Sequence, residues 1–546
     1  GTTFMAVDYL NALNVGSGLQ TNDIIDALVE AERAPKESAI TTAKDKRTVE
    51  ISGLGQVKSG FEKMDTSLSV IEEVTGLSVA SSGAGMDIEI SDATIATNFS
   101  HAMNVSTVAA AHTLVFGTYS SETASVGTGS LDFSFGTWAA NGTFSPNSAR
   151  TDTTVTLTTG SGTLADLRDA INNAGMQVTA SILKTSDTSY SLVLQSREGA
   201  AHAMQITATE DSGATGLSSF AYTSVDSNTE TITAADASFT MDGVTITRDS
   251  NTITDLIDGV TLTVKSTTSA AETVSGTYDS TVAEAAMQIM VDQINTISTT
   301  LKDLSKRGSG STDDGPLAGD PYVMMLRRQL RNFTTNAITG FGDSSIYLTD
   351  FGVTTALDGS ISLDSTKFKS SFDADPDAFA ALTTSRITSG STLVTPSVSG
   401  TYPTEGVYAF DISSDATSAT LDGSTMTVSG SDFTISGHSA GGLKLSITSG
   451  GADTNIYVGK SLFETLEDFT TTVLVSSGDL QTKITSYNAD LLDYDDKLTR
   501  LDEQIESIRA RHVADFAAMN ATVASLKETE KALDNMMESW KASLQS

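Results

Sequence analysis

Hydrophobic positions recur with two different periods along this chain, helical at both ends and alternating in the middle. From Thr21 the pattern predicts a helix start. Thr21 is placed to cap, and Asn22 and Asp23 fill a first turn where an acid suits the helix dipole. Ile24, Ile25, Leu28 and Val29 then form an apolar stripe at helical spacing. Pro35 is expected to stop this helix or to open the next. A second helical stretch follows from Lys36 to Val74, loosened by Gly53, Gly55 and Gly60.

The C-terminal end carries the longest periodic run. Tyr487, Leu491, Tyr494, Leu498, Leu501, Ile505 and Ile508 alternate in steps of four and three, the seam of a coiled coil. After an extra step of four the stripe continues through His512, Phe516, Met519, Val523 and Leu526, which is a stutter. Leu533, Met537 and Trp540 extend it. A helix this long needs partner helices, and the N-terminal stretches are the expected ones. The predicted assembly surface is therefore Ile24, Ile25, Leu28 and Val29 with Leu498, Leu501, Ile505, Ile508, Phe516, Met519, Val523 and Leu526. Lone amphipathic helices are marginal, so these side chains are expected to order fully only against a partner surface.

Between Gly83 and Ser275 the period becomes two. Thr154–Thr158, Ser191–Leu194 and Val260–Val264 read as strands, and Leu164–Ala174 as one short helix. Helix returns over Thr281–Leu304 and Tyr322–Ile338. A second β island over residues 389–461 contains Gly406–Phe410 and Leu443–Ile447. The expected fold is α+β and multidomain: paired terminal coiled-coil-like helices and a helical stem carrying inserted antiparallel β domains. The expected units are a terminal helical domain (1–45 with 500–546) and a stem (46–82 with 276–388 and 462–499). Two β domains (83–129 with 235–275, and 130–234) and the inserted island complete the division.

Composition narrows the function. With 546 residues the chain exceeds one ordinary domain. Its 39% apolar content and 7 prolines suit real cores rather than global disorder. The 68 acidic against 32 basic residues leave a formal charge of −36, which repels phosphate backbones and anionic lipid. Nucleic-acid binding is disfavoured. The chain has no cysteine, which excludes disulfides, thiolate catalysis and Cys-ligated zinc. No stretch approaches the ~18–20 apolar residues of a membrane-spanning helix. Gly1–Gly18 has neither the basic nor the apolar region of a Sec signal, so a cytoplasmic location or export without a cleaved signal is expected.

Candidate chemistry is sparse. Gly437-His438-Ser439-Ala440-Gly441 matches the G-x-S-x-G elbow of a serine hydrolase. That elbow needs a helix after the serine, and a strand follows instead. The only later histidine, His512, lies in the terminal heptads. A hairpin turn is the better reading. Asp373, Asp375 and Asp377 alternate like the start of a calcium loop, but the required Gly and Glu are Ala378 and Thr384. A helix start at Pro376 accounts for them better. His101, His112, His202, His438 and His512 are scattered without helical pairing. No phosphate-binding loop occurs, and no cofactor or metal is expected.

Several stretches, taken in order, resemble the flagellar hook-associated protein 2 family, the filament caps called FliD. At the start these are Val15-Gly16-Ser17-Gly18-Leu19, Asp26-Ala27-Leu28-Val29 and Glu32-Arg33-Ala34-Pro35. Leu164–Ile182, with Ala170-Ile171-Asn172, is similar to a repeat of flagellins and hook-associated proteins. Residues 237–265 look like the family's middle β domain. Gly315-Pro316-Leu317-Ala318-Gly319-Asp320, Phe351-Gly352-Val353, Asp358-Gly359 and Leu363-Asp364 follow in the family's order. The island at 389–461 is the least familiar part. The resemblance implies a secreted, non-enzymatic protein at the distal tip of the bacterial flagellum. It further implies a ring-like homo-oligomer that promotes flagellin folding and insertion, with hook–filament junction proteins and an export chaperone as partners. A flagellin-like filament subunit and a surface adhesin binding host glycans through its β domains are the alternatives.

Overall fold

A computed structural model describes residues 20–309 and 313–545. Gly1–Gly18 and the Val15–Leu19 part of the family signature lie outside them. The helices are α1 (Thr21–Leu68), α2 (Leu164–Asn173), α3 (Ser280–Ser305), α4 (Pro321–Thr335), α5 (Ser365–Ala374), α6 (Ala380–Thr383), α7 (Leu462–Leu474) and α8 (Asp479–Leu544). Every strand pairing is antiparallel, so the fold is α+β and multidomain.

Two expectations about the first helix fail. Pro35 neither stops it nor opens another, since α1 is continuous from Thr21 to Leu68 with Pro35 inside. A proline forfeits one ladder hydrogen bond, and here packing against α8 offsets that loss. Thr21 does not cap. Gln20 holds the N-cap position, and Thr21 is buried in the first turn. The mid-helix glycines have a packing reason at two positions. A Cβ on Gly53 would stand 2.9 Å from Leu317 Cγ, and one on Gly60 would stand 2.9 Å from Ile297 Cδ1. Both sites let α1 approach its neighbours closely.

The helical stem is a single large core. Leu54, Val57, Phe61, Met64 and Leu68 of α1 pack on Met287, Met290, Ile294, Ile297 and Leu301 of α3. Leu326 and Leu330 of α4, Phe368 and Phe372 of α5, and Leu466 and Phe469 of α7 complete it. Phe351, Phe368, Phe372 and Phe379 pack edge-on, tilted or stacked at 5.7–6.3 Å between centroids. Such offset contacts add to plain area burial. The Asp373/375/377 run sits at the edge of this cluster and is fully engaged. Asp373 pairs with Lys369, Asp375 caps the 3₁₀ turn Pro376–Phe379, and Asp377 takes the Arg386 guanidinium in a fork at 2.7 and 2.7 Å.

Two β bodies stand above the stem. In the nearer one, Leu77–Ser81, Glu272–Tyr278, Phe99–Thr107, Ala237–Met241 and Val244–Arg248 form one sheet, and Thr252–Ile257, Val260–Val264 and Met86–Ile90 a second. Met86, Met103, Val105, Phe239, Ile253, Leu262 and Val274 fill the core between them. The farther body centres on Leu114, Phe133, Phe135, Leu192, Leu194, Ile206 and Phe220, covered by α2. Thr163 and Asp166 close a capping box at the start of α2, which ends at Asn173.

The division differs from the expected 129/130 boundary. Ala111–Tyr119 pairs with Ser189–Glu198 and buries Leu114 and Phe116 in the farther core. The chain crosses between the bodies at the Ala110–Ala235 bridge. Leu77–Ser81, grouped with the stem in the sequence reading, is likewise an edge strand of the nearer sheet. A period-two pattern shows a strand but not which sheet takes it.

Candidate assembly interface

The terminal helices α1 and α8 run antiparallel, as their cross-links show. Asp26 pairs with Arg509 at 2.7 Å, Arg33 with Asp502 at 2.8 Å, Lys44 with Asp495, and Arg47 with Asp490 at 3.1 Å. Positions rising along α1 meet positions falling along α8. The Arg47 guanidinium also lies 4.0 Å from the centroid of Tyr487. Burial pulls its pKa down, but Glu50, Tyr487, Asp490 and Tyr494 together outweigh this and hold it above its ordinary value. Hydrogen bonding to Glu37 comes first among the causes that raise Arg33.

Beneath this ladder the seam is thin. Ile25, Val29, Leu501 and Ile505 are its buried members, with Ile40, Ile508, Val513 and Phe516 packed partly against them. Of the expected surface, Ile25, Val29, Leu501, Ile505, Ile508 and Phe516 therefore come together. Leu498 and Val523 are half-buried. Ile24, Leu28, Met519 and Leu526 are not part of the seam: they are exposed at 40, 39, 41 and 63%. The reason for Ile24 and Leu28 is rotational. A two-helix contact covers a narrow strip, and a four-residue-wide stripe exceeds it. Met519 is exposed while its neighbour Asn520 is buried, again a matter of rotation, and Leu526 lies beyond Ala524, where every described side chain of α8 is exposed.

Ile40 and Val513 were missed. Val513 takes its place because an α-helix drifts ~20° per heptad against a 3.5-residue repeat. The seam thus moves off His512, which is half-buried with its Nε2 lacking a hydrogen-bond partner among the described residues. Beyond Ala524 every described side chain of α8 is exposed, including Leu526, Leu533, Met536, Met537, Trp540 and Leu544.

At its other end α8 is anchored by the Gly315–Asp320 loop. Leu317 and Gly315 donate backbone hydrogen bonds to Leu304 and Lys306 at the end of α3, and Gly319 turns at φ +67°. Asp320 caps α4 by accepting from the Tyr322 and Val323 amides, and its second oxygen receives Lys483 of α8 at 2.6 Å. One loop thus ties α1, α3, α4 and α8 together. Lys483 was not singled out from the sequence, since nothing in its spacing points to a partner 163 residues away.

The G-x-S-x-G segment lies between Asp432–Thr434 and Leu443–Ile447, which pair with each other. No helix starts after Ser439, so the elbow geometry is not met. Ser439 Oγ lies 3.4 Å from Tyr408 Oη, and His438 Nδ1 accepts from the Ala440 amide. Among the described residues no group of three or more His, Cys, Asp or Glu is arranged to hold a metal ion. No described helix is long and apolar enough to cross a membrane.

The family description "Flagellar hook-associated protein 2 C-terminus" matches residues 234–528, and "Flagellar hook-associated protein 2 N-terminus" matches residues 17–112. The chain is 26% identical over 388 residues to flagellar hook-associated protein 2 of Escherichia coli K12, covering 68% of this chain and 80% of that protein. It is 26% identical over 397 residues to the B-type protein of Pseudomonas aeruginosa, covering 68% and 79%. The crystal structure of the D1-D2-D3 domains of the Escherichia coli flagellar cap protein FliD superposes with a TM-score of 0.51 at 20% identity. That match covers 80% of this chain and 99% of the other, and it speaks to the fold.

Proposed function

Because this chain belongs to the flagellar hook-associated protein 2 family, we propose that it caps the flagellar filament at its distal tip and promotes folding and insertion of flagellin there. The observation that carries the reading is the uneven use of α8. Its first half is bound into the stem and the seam, while Leu526, Leu533, Met537 and Trp540 stay exposed on one long helix. A run of large apolar side chains left in water is a surface awaiting a partner. In a cap those partners are neighbouring copies and filament subunits, with hook–filament junction proteins and an export chaperone met on the way. The work done is binding and positioning, without catalysis. The family match favours a cap over a flagellin-like filament subunit, and among the described residues no built site favours a glycan adhesin.

Removing residues 1–40 and 505–546 together tests this. The remaining body keeps its β signal and a cooperative melt, because the stem and β cores lie outside the deletion. It loses the ability to cap filaments and to restore swimming to a cap-deficient strain. Restored motility with the truncated protein would show the terminal helices dispensable and end the proposed mechanism.

A further inference from the structure

The two β bodies are joined without a common core. Among the described residues no apolar side chain belongs to both of their clusters. The chain crosses between them twice, side by side, at the Ala110–Ala235 bridge. Such a crossing can flex as a hinge, and motion between domains is the expectation unless a large apolar interface stops it. What opposes it here is polar. Two bends meet beside the crossing, Glu198-Gly199-Ala200 of the farther body and Asp249-Ser250-Asn251 of the nearer one. Asp249 Oδ2 accepts from Arg197 Nη2 at 2.9 Å and from His202 Nε2 at 3.2 Å. On the other side of the ring, His202 Nδ1 faces Arg150 Nη1 at 2.8 Å. A guanidinium only donates, so Nδ1 accepts and the ring proton lies on Nε2, aimed at Asp249. Arg150 is itself fixed inside the farther body. Its guanidinium lies 3.9 Å from the Phe135 centroid and donates to the Met176 carbonyl at 2.6 Å. A polar chain thus runs from the farther core to a carboxylate of the nearer body, through a histidine that is only 5% exposed.

Glu198 makes a second tie. Its two oxygens accept from the Asn251 backbone amide at 2.9 Å and the Asn251 side chain at 3.1 Å. Asn251 is in turn locked onto Ala109, donating to its carbonyl and accepting from its amide, each at 2.8 Å. A third tie joins the Ala200 amide to Asp236 at 2.7 Å. Gly199 sits among them at φ +117°, where a Cβ would stand 2.8 Å from Asp249 Cβ and 2.9 Å from His202 Cδ2. Only glycine lets the two bends approach this closely.

We propose that this polar catch sets the angle between the two β bodies, and that releasing Asp249 lets the farther body swing as a unit about the crossing at Ala110 and Ala235. Hydrogen bonds are directional, so the three ties together define one angle, which a non-directional apolar contact does not. The groups that separate are polar and pass to water, while both apolar cores stay closed. Opening is therefore a change of conformation and not unfolding. The Arg150–His202 contact travels with the farther body, and the Asn251–Ala109 pair stays with the nearer one.

The chain has no cysteine, so introduced ones are its only thiols. T188C on the farther body and T245C on the nearer one replace exposed residues, and each carries a nitroxide in the full chain. Double electron–electron resonance then gives a single narrow distance distribution. Adding D249A widens it by about twofold or more, as a freed hinge requires. R197Q/H202Q, made on the opposite side of the catch, widens it as much. Combining all three widens it no further, because they act through one contact. Trp138 packs on Phe144 and Tyr222 inside the farther body, and its unchanged fluorescence separates swinging from local unfolding. Should D249A disturb that fluorescence, R197Q alone removes the more exposed arm and is expected to widen the distribution in a folded protein. A folded variant that keeps the narrow distribution, a parent as broad as its variants, or effects that simply add overturns the proposal.

Discussion

Helices α1 and α8 cross two environments, and the contrast between them is the main lesson of the molecule. Over Leu54–Leu68, α1 is sunk in the stem, where Leu54, Val57 and Phe61 have no exposed surface. Over Ile25–Ile40 the same helix rests on α8 through a strip with only Ile25 and Val29 fully buried. Helices in isolation are marginal, so most of their stability comes from the apolar face they bury. One half of each helix is therefore held by the monomer. The other half is held by a few contacts and a surface ion-pair ladder, and such pairs contribute little each. A chain that must add to an assembly gains from this. In the proposed function, the half that would meet partners is the half left short of core.

The sharpest way to break the comparison is a pair of truncations at matched depth. Phe61 packs edge-on to Phe469 at 5.3 Å between centroids. Phe61→Ala is expected to cost about 3–5 kcal/mol, the usual range for a buried aromatic truncation, and to lower the denaturation midpoint of the whole stem. Ile505→Ala is expected to cost about 2 kcal/mol, the low end for Ile→Ala, because its site opens to solvent on both flanks. Hydrogen exchange would place that loss in Ile25–Ile40 and Leu501–Phe516 alone, with the stem amides unchanged. Equal effects at both sites would mean one cooperative unit and no distinction between the halves.

The sequence carried much of this, though unevenly. The heptads of α8 were legible because a period sustained over many turns has one physical reading. The thinness of the seam was not legible. Ile24 and Ile25 are the same residue type on neighbouring positions, and only the rotation of α1 decides that one is buried and the other 40% exposed. Pro35 misled for the same reason, since tertiary packing overrode a local rule. The exchange of Ala111–Tyr119 between β bodies depended on pairing with Ser189–Glu198, seventy residues onward, which no local pattern reports. The Asp320–Lys483 tie belongs to the same class.

Acid extends the comparison to the farther β body, whose core contains a histidine. His112 is fully buried. Its Nδ1 accepts from the Met204 amide at 2.9 Å, which leaves Nε2–H to donate to Glu230 at 2.8 Å. Burial holds its pKa below the ordinary value, and Glu230 opposes this without prevailing. A second proton would sit on Nδ1 and forfeit the Met204 bond. The unfolded chain takes up that proton below its ordinary pKa of about 6.5, and the folded chain resists. The stabilisation is therefore complete above about pH 6.5 and is lost as pH falls toward the folded pKa. A loss of about 1–3 kcal/mol is expected, the cost of one unmade buried hydrogen bond. Tryptophan fluorescence follows it, since Trp138 packs on Tyr222 at 5.7 Å within this body. The far-ultraviolet helix signal of the stem should hold through the same titration. In His112→Gln the acid-dependent part of the transition disappears. A parent whose β body is no less stable at pH 5 than at pH 7.5 contradicts the tautomer assignment.

The smallest expected effect concerns the island, which meets the stem in a third manner, at one edge. Its first and last strands, Arg386–Ser389 and Thr454–Gly459, pair with each other, so chain entry and exit are neighbours. Its own core, Tyr408, Phe410, Leu421, Phe433, Leu445 and Ile456, closes without side chains from the stem helices. The links to the stem are few. Asp343 accepts from Tyr457 at 2.7 Å and Asn455 at 3.1 Å, and Gly340 passes under Val458 at φ +87° where a Cβ would stand 1.8 Å from its carbonyl oxygen. Arg386 and Asp377 form their fork ahead of residue 389, and Ser461, which the sequence reading counted with the island, serves the stem as the cap of α7. Deleting residues 389–458 and joining Thr388 to Gly459 with a short Gly-Ser linker keeps both. Loop-closure cost rises only slowly with length, so a short closure over a small gap adds little strain. The stem's unfolding free energy is expected to change by about 1 kcal/mol or less, and any self-association of the parent to persist. If the deletion variant aggregates or stays monomeric where the parent associates, the island belongs to the assembly surface. The dense and sparse halves of α1 and α8 would then not be the whole of what builds the cap.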